Sequence, residues 1–126
     1  MCIRDRCIDI SSYKFDGKGG KGAPEHTHIF PLPDAFRGVY RGENTGEQYA
    51  LEVQKQITNV HKKNRGIAAF IIEPIISCGG QVELPEGFLK KAYSYTRKAG
   101  GLCISCLLYT SPSPRDLSTS RMPSSA

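Results

Sequence analysis

Apolar residues recur at Tyr49, Val53, Ile57 and Val60, the spacing of one helix face, and charged residues fill the positions between them. Thr45 stands where an N-cap would, with Gln48 three residues on, so a capping box is expected to open this helix and Gly66 to close it. Residues 67–73, IAAFIIE, form an almost uninterrupted apolar run between Gly66 and Pro74. Such a run predicts a strand buried on both faces of a parallel sheet. Pro85 and Glu86 then begin a second helix, with Phe88, Leu89, Ala92, Tyr95, Thr96 and Ala99 as its inner stripe and Gly100 and Gly101 as its end. Residues 102–105 read as the next strand. Helix, strand, helix, strand in that order predicts an α/β fold with a right-handed βαβ crossover, its sheet flanked by helices.

Before Thr45 the chain reads mostly as connection. CIDISSYKF alternates briefly and predicts a strand end or an extended arm. In DGKGGKGAPEH, Gly17, Gly19, Gly20 and Gly22 with Lys18 and Lys21 predict a mobile basic loop. Pro31 and Pro33 hold THIFPLPDAFRG extended and bar a helix there. After residue 105 the pattern changes abruptly to CLLYTSPSPRD. Back-translated, MCIRDR can be written ATGTGTATAAGAGACAG, whose reverse complement is CTGTCTCTTATACACAT. Read one base further on, that strand encodes CLLYT, residues 106–110. One DNA element on opposite strands at the two ends resembles a transposase-type sequencing adapter, and SPSPRD and SRMPSSA agree with its continuation. Residues 1–6 and 106–126 are therefore expected to be translated adapter, with 106–126 disordered, and residues 7–105 to be part of a longer polypeptide.

That division changes the picture from charge. The 126 residues hold 17 Lys and Arg against 12 Asp and Glu, a net +5; residues 7–105 hold 13 and 10, a net +3. So small an excess argues against nucleic acid as a partner. Of five cysteines, Cys2 and Cys106 fall in the adapter, and Cys7, Cys78 and Cys103 form an odd set that suits a reducing, cytoplasmic setting. No apolar stretch approaches the roughly 20 residues of a membrane helix. GKGGKG lacks P-loop spacing. His26 and His28 suggest no third metal ligand, His61 falls on the polar side of its helix, and Cys103 reads as core, so no metal is expected.

Chemistry points to the end of the first strand. In open α/β sheets ligands bind beyond the carboxyl ends of the strands, and Glu73 stands at such an end, leading into EPIISCGG with Ser77, Cys78, Gly79 and Gly80. On its residues alone this is either a crevice-facing carboxylate or a glutamate bound to backbone amides above a glycine turn.

The stretch AAFIIEPIISCGGQVELPEGFLKKAYSYTRKAGGLCIS resembles class III aminotransferases, pyridoxal-phosphate-dependent enzymes of fold type I, whose next residues typically read Asp-Glu-Val-Gln. SSYKFDGKGG and FPLPDAFRG resemble their alanine–glyoxylate-aminotransferase-like branch, which includes amino-alcohol-phosphate phospho-lyases. The resemblance implies that residues 7–105 are part of a fold-type I large domain. It implies pyridoxal 5'-phosphate as cofactor, a small amine or amino-alcohol phosphate as substrate, and a cytoplasmic homodimer as the intact enzyme. Glu73 matches the glutamate near the cofactor's aspartate, and Ser77, Cys78, Gly79 and Gly80 match a substrate loop. Many ω-aminotransferases carry a second glutamate at the position of Cys78; a cysteine there leans toward the phospho-lyase branch. The catalytic lysine and the aspartate fall outside residues 7–105, so this chain is expected to be inactive. The rival expectation is a non-enzymatic basic α/β binding module that meets acidic partners through Lys18, Lys21, Lys62, Lys63 and Arg65.

Overall fold

The computed structural model describes residues 8–77 and 79–106. Residues 1–6 and all but the first of the residues assigned to the downstream adapter lie outside that range, as does Cys78. The described residues open with a 3₁₀ turn, Ile8–Ile10, and a single helical turn, α1 (Ser12–Phe15), where an extended arm was expected. Local hydrogen bonds decide it: Lys14 N–H donates to Ser11 O and Asp16 N–H to Ser12 O, while Phe15 turns inward and is buried. The glycine run does not trail away as a loose loop. Gly20 N–H donates to Gly17 O at 2.7 Å and Gly22 N–H to Phe15 O at 3.3 Å, folding the run back on α1. A Cβ at Gly20 would lie 2.2 Å from Phe15 O, so only glycine allows that approach.

The long helix α2 spans Thr45–Lys62 and buries Tyr49, Ala50, Val53, Ile57 and Val60, the stripe read from the sequence. Its ends differ from expectation. The N-cap is Asn44, in left-handed geometry (φ 59°) and without a side-chain cap; Thr45 is already helical and buried, so no capping box forms. At the other end Asn64 (φ 55°) takes the left-handed position, with Arg65 N–H donating to Val60 O and Asn64 N–H to His61 O. This is a Schellman closure made by asparagine, whose short polar side chain tolerates that region. Gly66 is not needed for it.

The first sheet holds strands β1 (Ala69–Ile72) and β4 (Leu102–Ser105), which pair in parallel with Ala69 beside Leu102 and Ile72 beside Ser105. Between them come β2 (Ile75–Ile76), β3 (Val82–Glu83) and helix α3 (Phe88–Lys98). The antiparallel β2–β3 hairpin was not foreseen. Helix α3 buries Phe88, Ala92 and Thr96 completely, and Leu89, Tyr95 and Ala99 pack against the core, as predicted. It too ends in a Schellman closure, with Gly100 at φ 82° and Gly101 N–H donating to Thr96 O. Gly101 has a second reason to be glycine, since a Cβ there would lie 2.8 Å from Ile67 Cγ2.

Helices α2 and α3 pack on each other and on one face of the β1–β4 sheet. Phe70 and Ile72 point into that core while Ala69 and Ile71 are exposed, so β1 is buried on one face, not two. The sequence pattern of β1 suits a two-sided layer; the described residues supply one. Phe30 stacks on Phe70 with ring centroids 5.4 Å apart, and Tyr93 meets Phe70 edge-on at 5.9 Å. Full burial of rings such as Phe88 is worth about 1.5–3 kcal/mol each.

A strap, residues 30–41, crosses the N-terminal half of α2. Tyr49 is fully buried, donates its hydroxyl to Asp34 O at 3.0 Å and accepts Tyr40 N–H at 3.2 Å. Gly38 passes so close that a Cβ would lie 2.0 Å from that hydroxyl.

Candidate functional site

Parallel pairing of β1 with β4 brings two strand ends together. Ile72 lies beside Ser105, and Cys106 N–H donates to Ile72 O at 2.9 Å, so Glu73 and Cys106 continue the register as neighbours just past the sheet. Glu73 is half-buried. Its Oε2 accepts the backbone N–H of Ser77 at 3.3 Å, tying the strand end to the following loop. The carboxylate thus does what a glutamate above a glycine turn would do, and it does so at the sheet end where ligands of open α/β folds collect.

Ser77, Gly79 and Gly80 belong to the turn of the β2–β3 hairpin. Gly80 and Gln81 N–H both donate to Ser77 O, and Gly80 adopts φ 112°, open in practice to glycine alone. A Cβ at Gly79 would come within 2.6 Å of Ile76 Cγ2, which makes that glycine a packing requirement as well. The structure therefore joins Glu73 to Ser77 directly and to the two glycines through one turn. Among the described residues no group of three His, Cys, Asp or Glu side chains could hold a metal ion. His26 instead faces Asp9 at 3.7 Å, and His61 and His28 are exposed. Cys103 is half-buried on the helix-covered face, its thiol 3.7 Å from Tyr93 O.

A larger groove of about 410 Å³ lies along β1, walled by Thr27, His28 and Phe30 on one side and residues 66–71 on the other, with Val53 and Ile57 as its apolar floor. Glu73 does not line it. Arg65, at its rim, is paired with Glu25 at 2.8 Å, so this member of the basic set is already neutralised locally.

The groups whose protonation the fold displaces sit in the strap (Asp34, Tyr40) and on the face of α2 beside it (Glu52, Lys55), a feature that residue spacing did not signal. Backbone N–H groups of Arg37 and Phe36 donate to Asp34 and hold its carboxyl below the usual range. Lys55, then Tyr40, lowers Glu52 by hydrogen bonding to the same Oε1, at 2.7 and 2.6 Å, and Glu52 in turn raises both partners.

No protein-family model matches the chain. It is 36% identical over 102 residues to an "alanine–glyoxylate aminotransferase 2-like" protein of Drosophila melanogaster, covering 77% of this chain and 21% of that one. It is 34% identical over 108 residues to "ethanolamine-phosphate phospho-lyase homolog 1" of Caenorhabditis elegans, covering 77% of this chain and 23% of that one. Among solved structures it resembles a phospholyase from Arthrobacter in complex with phosphoethanolamine, with a TM-score of 0.55 and 26% identity over 65% of this chain and 20% of the other. The chain spans about a fifth of the length of these relatives. Together with the parallel sheet and its helices, these likenesses define the class: the chain is a class III aminotransferase-like segment of fold-type I α/β architecture. Within that class its kin carry the names alanine–glyoxylate aminotransferase 2 and ethanolamine-phosphate phospho-lyase, of a pyridoxal-phosphate-dependent family.

The residues at the strand ends do not by themselves make a site for that cofactor. By the resemblance, the aspartate that would meet the pyridine nitrogen follows Ser105, and the residue there is Cys106, a thiol where a carboxylate is required. No lysine occurs in residues 64–89, which include the end of β1 and its loop, or in residues 99–106.

Proposed function

We propose that residues 7–105 are the part of a pyridoxal-phosphate enzyme's large domain that brings Glu73 beside the position of the cofactor's aspartate, and that the 126-residue chain is itself inactive. What supports this reading is the register of β1 and β4. It sets Glu73 next to residue 106 at the strand ends, where a second carboxylate would feel the charge of the first. In the intact enzyme the cofactor would supply an electron sink for amine chemistry. This chain's share of that work is positional: a strand end, a carboxylate tied to its loop, and a hairpin that keeps the backbone close through Gly79 and Gly80. The substrate class we propose for the intact enzyme is an amino-alcohol phosphate. The phosphoethanolamine in the Arthrobacter neighbour and the phospho-lyase name of the worm relative support it, as does Cys78 at the loop position where ω-aminotransferases carry glutamate.

Two measurements test the proposal. Long, adapter-free reads of the source DNA should continue in frame after Ser105 as Asp-Glu-Val-Gln and later supply a lysine; a stop or an unrelated sequence there sinks it. Pyridoxal phosphate added to the purified 126-residue chain should leave no stoichiometric absorption band that borohydride fixes to one lysine, whereas the full-length enzyme should show one.

A further inference from the structure

Asp16 and Gly17 join α1 to the glycine run, and no other Asp or Asn in the sequence precedes a glycine. Asp16 ends α1 at φ −102° and ψ −5°, its own N–H donating to Ser12 O. Both residues are exposed. Among the described residues neither the Asp16 carboxyl nor the Gly17 N–H has a hydrogen-bond partner. A carboxyl carbon and the amide nitrogen of the next residue, both free, are the two reactants of a ring closure. Glycine leaves that nitrogen unshielded, having no Cβ, and lets the backbone rotate toward attack. Packing keeps glycine there too, because a Cβ at Gly17 would lie 2.4 Å from Tyr13 O.

Elsewhere the fold withholds the same reactants. Asp34 is buried, and its Oδ1 accepts the N–H groups of Phe36 and Arg37 at 2.8 and 3.1 Å. Asn64 is followed by Arg65, whose N–H is committed to Val60 O. Asn59 lies within α2, where the next N–H belongs to the helical ladder. Asp9 faces His26 and precedes Ile10, whose branched side chain crowds the nitrogen.

We propose that Asp16–Gly17 is a site of spontaneous covalent modification, at which aspartate converts to β-linked isoaspartate through a cyclic imide. The Gly17 nitrogen attacks Cγ of the acid form of Asp16. The N–Cγ bond forms, the Cγ–OH bond breaks, and the amide proton leaves with that hydroxyl as water. Water then adds to one of the two ring carbonyls. Addition at Cγ restores aspartate; addition at the main-chain carbonyl breaks its bond to the Gly17 nitrogen and routes the backbone through Cβ and Cγ. Nothing is oxidised or reduced, and each passage installs one oxygen from solvent. Attack requires ψ of Asp16 to turn away from −5°, and the two bonds that close the turn, Gly20 N–H to Gly17 O and Gly22 N–H to Phe15 O, tie exposed glycines that open locally at low cost.

The β-linkage adds a carbon to the backbone between Asp16 and Gly17, and the turn has no room for it. Gly20 passes so close to α1 that a Cβ would lie 2.2 Å from Phe15 O. The modified run must come away from α1, carrying Lys18 and Lys21 with it.

Ageing the purified 126-residue chain in heavy-oxygen water at mildly acidic pH, followed by peptide mass spectrometry, tests this. Heavy oxygen should accumulate on the peptide holding Asp16 at least tenfold faster than on those holding Asp9 or Asp34, and part of it should be β-linked. Asp16→Asn, which closes the ring by losing ammonia, should label faster still; Asp16→Glu, whose longer side chain closes a larger ring poorly, should lose at least nine-tenths of the label. Trypsin should cut after Lys18 and Lys21 several-fold faster in the β-linked fraction than in the unaged chain. No label at Asp16, or label reaching the Asp34 peptide as fast, overturns the proposal. Equal cutting of aged and unaged chains overturns the release of the loop. None of these outcomes bears on the proposed function, which rests on Glu73 and the strand ends.

Discussion

Removing one oxygen from Tyr49 isolates what holds the strap to α2. In Tyr49→Phe the ring stays fully buried and can keep its edge-on contact with Tyr40, centroids 5.1 Å apart, so packing is nearly unchanged. Two hydrogen bonds go. Asp34 O keeps Gly38 N–H as a donor, and that bond therefore costs only the net value of an ordinary hydrogen bond, about 1 kcal/mol. Tyr40 N–H loses its acceptor, and because Tyr40 is half-buried the penalty falls at the low end of the roughly 1–3 kcal/mol for an unsatisfied donor. The sum is about 2 kcal/mol. With a urea slope of about 1–3 kcal/mol/M for a small domain, the midpoint should fall by about 1 M. Thermal melts should drop by roughly 8–15 °C, at about 4–8 °C per kcal/mol. Tyr49→Ala adds a cavity and should cost about 3–5 kcal/mol. The assay is urea denaturation followed by far-ultraviolet circular dichroism. A Tyr49→Phe stability within about 0.5 kcal/mol of the parent would show that the strap is held by its apolar contacts and not by this hydroxyl.

Two further outcomes follow from the geometry. Asn64→Ala should lose about 1 kcal/mol, because alanine pays for the left-handed φ of 55°, while Asn64→Gly should be neutral or slightly stabilising; thermal melts of the two variants check the order. The carboxyls of Asp34 and Glu52 are depressed in the folded chain, so their stabilisation is fully present above the ordinary carboxyl values of about 3.9–4.3 and is lost as pH falls through their lower folded values. The urea midpoint should accordingly hold level between pH 7 and 5 and fall below about 4; the doubly substituted Asp34→Asn, Glu52→Gln chain should show a shallower acid limb, and an unchanged limb would assign the acid loss to other groups.

The long elements were legible because their signals are local and repeated. The stripe from Tyr49 to Val60, the run AAFII, the Phe88–Ala92–Thr96 series and the closing Gly100 each state their structure over a few residues, and the parallel order followed from their sequence. What stayed hidden depends on contacts between distant residues. Nothing near Asn64 distinguishes it from Gly66 as the helix stop, since the choice rests on which residue reaches Val60 and His61 with the right φ. The role of the Tyr49 hydroxyl needs the strap in place, and burial of β1 on one face reflects which layers are there to cover it. At the candidate site, the position of Glu73 at a strand end was readable, whereas its bond to Ser77 and the hairpin carrying Gly79 and Gly80 were not, because two-residue strands leave almost no periodicity.

The two Schellman closures, at Asn64 and Gly100, launch β1 and β4 from equivalent corners but after unequal lengths of chain. Gly101 is buried between Ile67 and Thr96, and Leu102 begins β4 at once, so the second corner has no slack. One inserted residue there would slip β4 in its register and turn its helix-facing side chains outward. The first corner has residues 65–68 before β1, mostly exposed. Across related chains, length variation at these helix-to-strand passages should therefore collect after α2 and be nearly absent after α3.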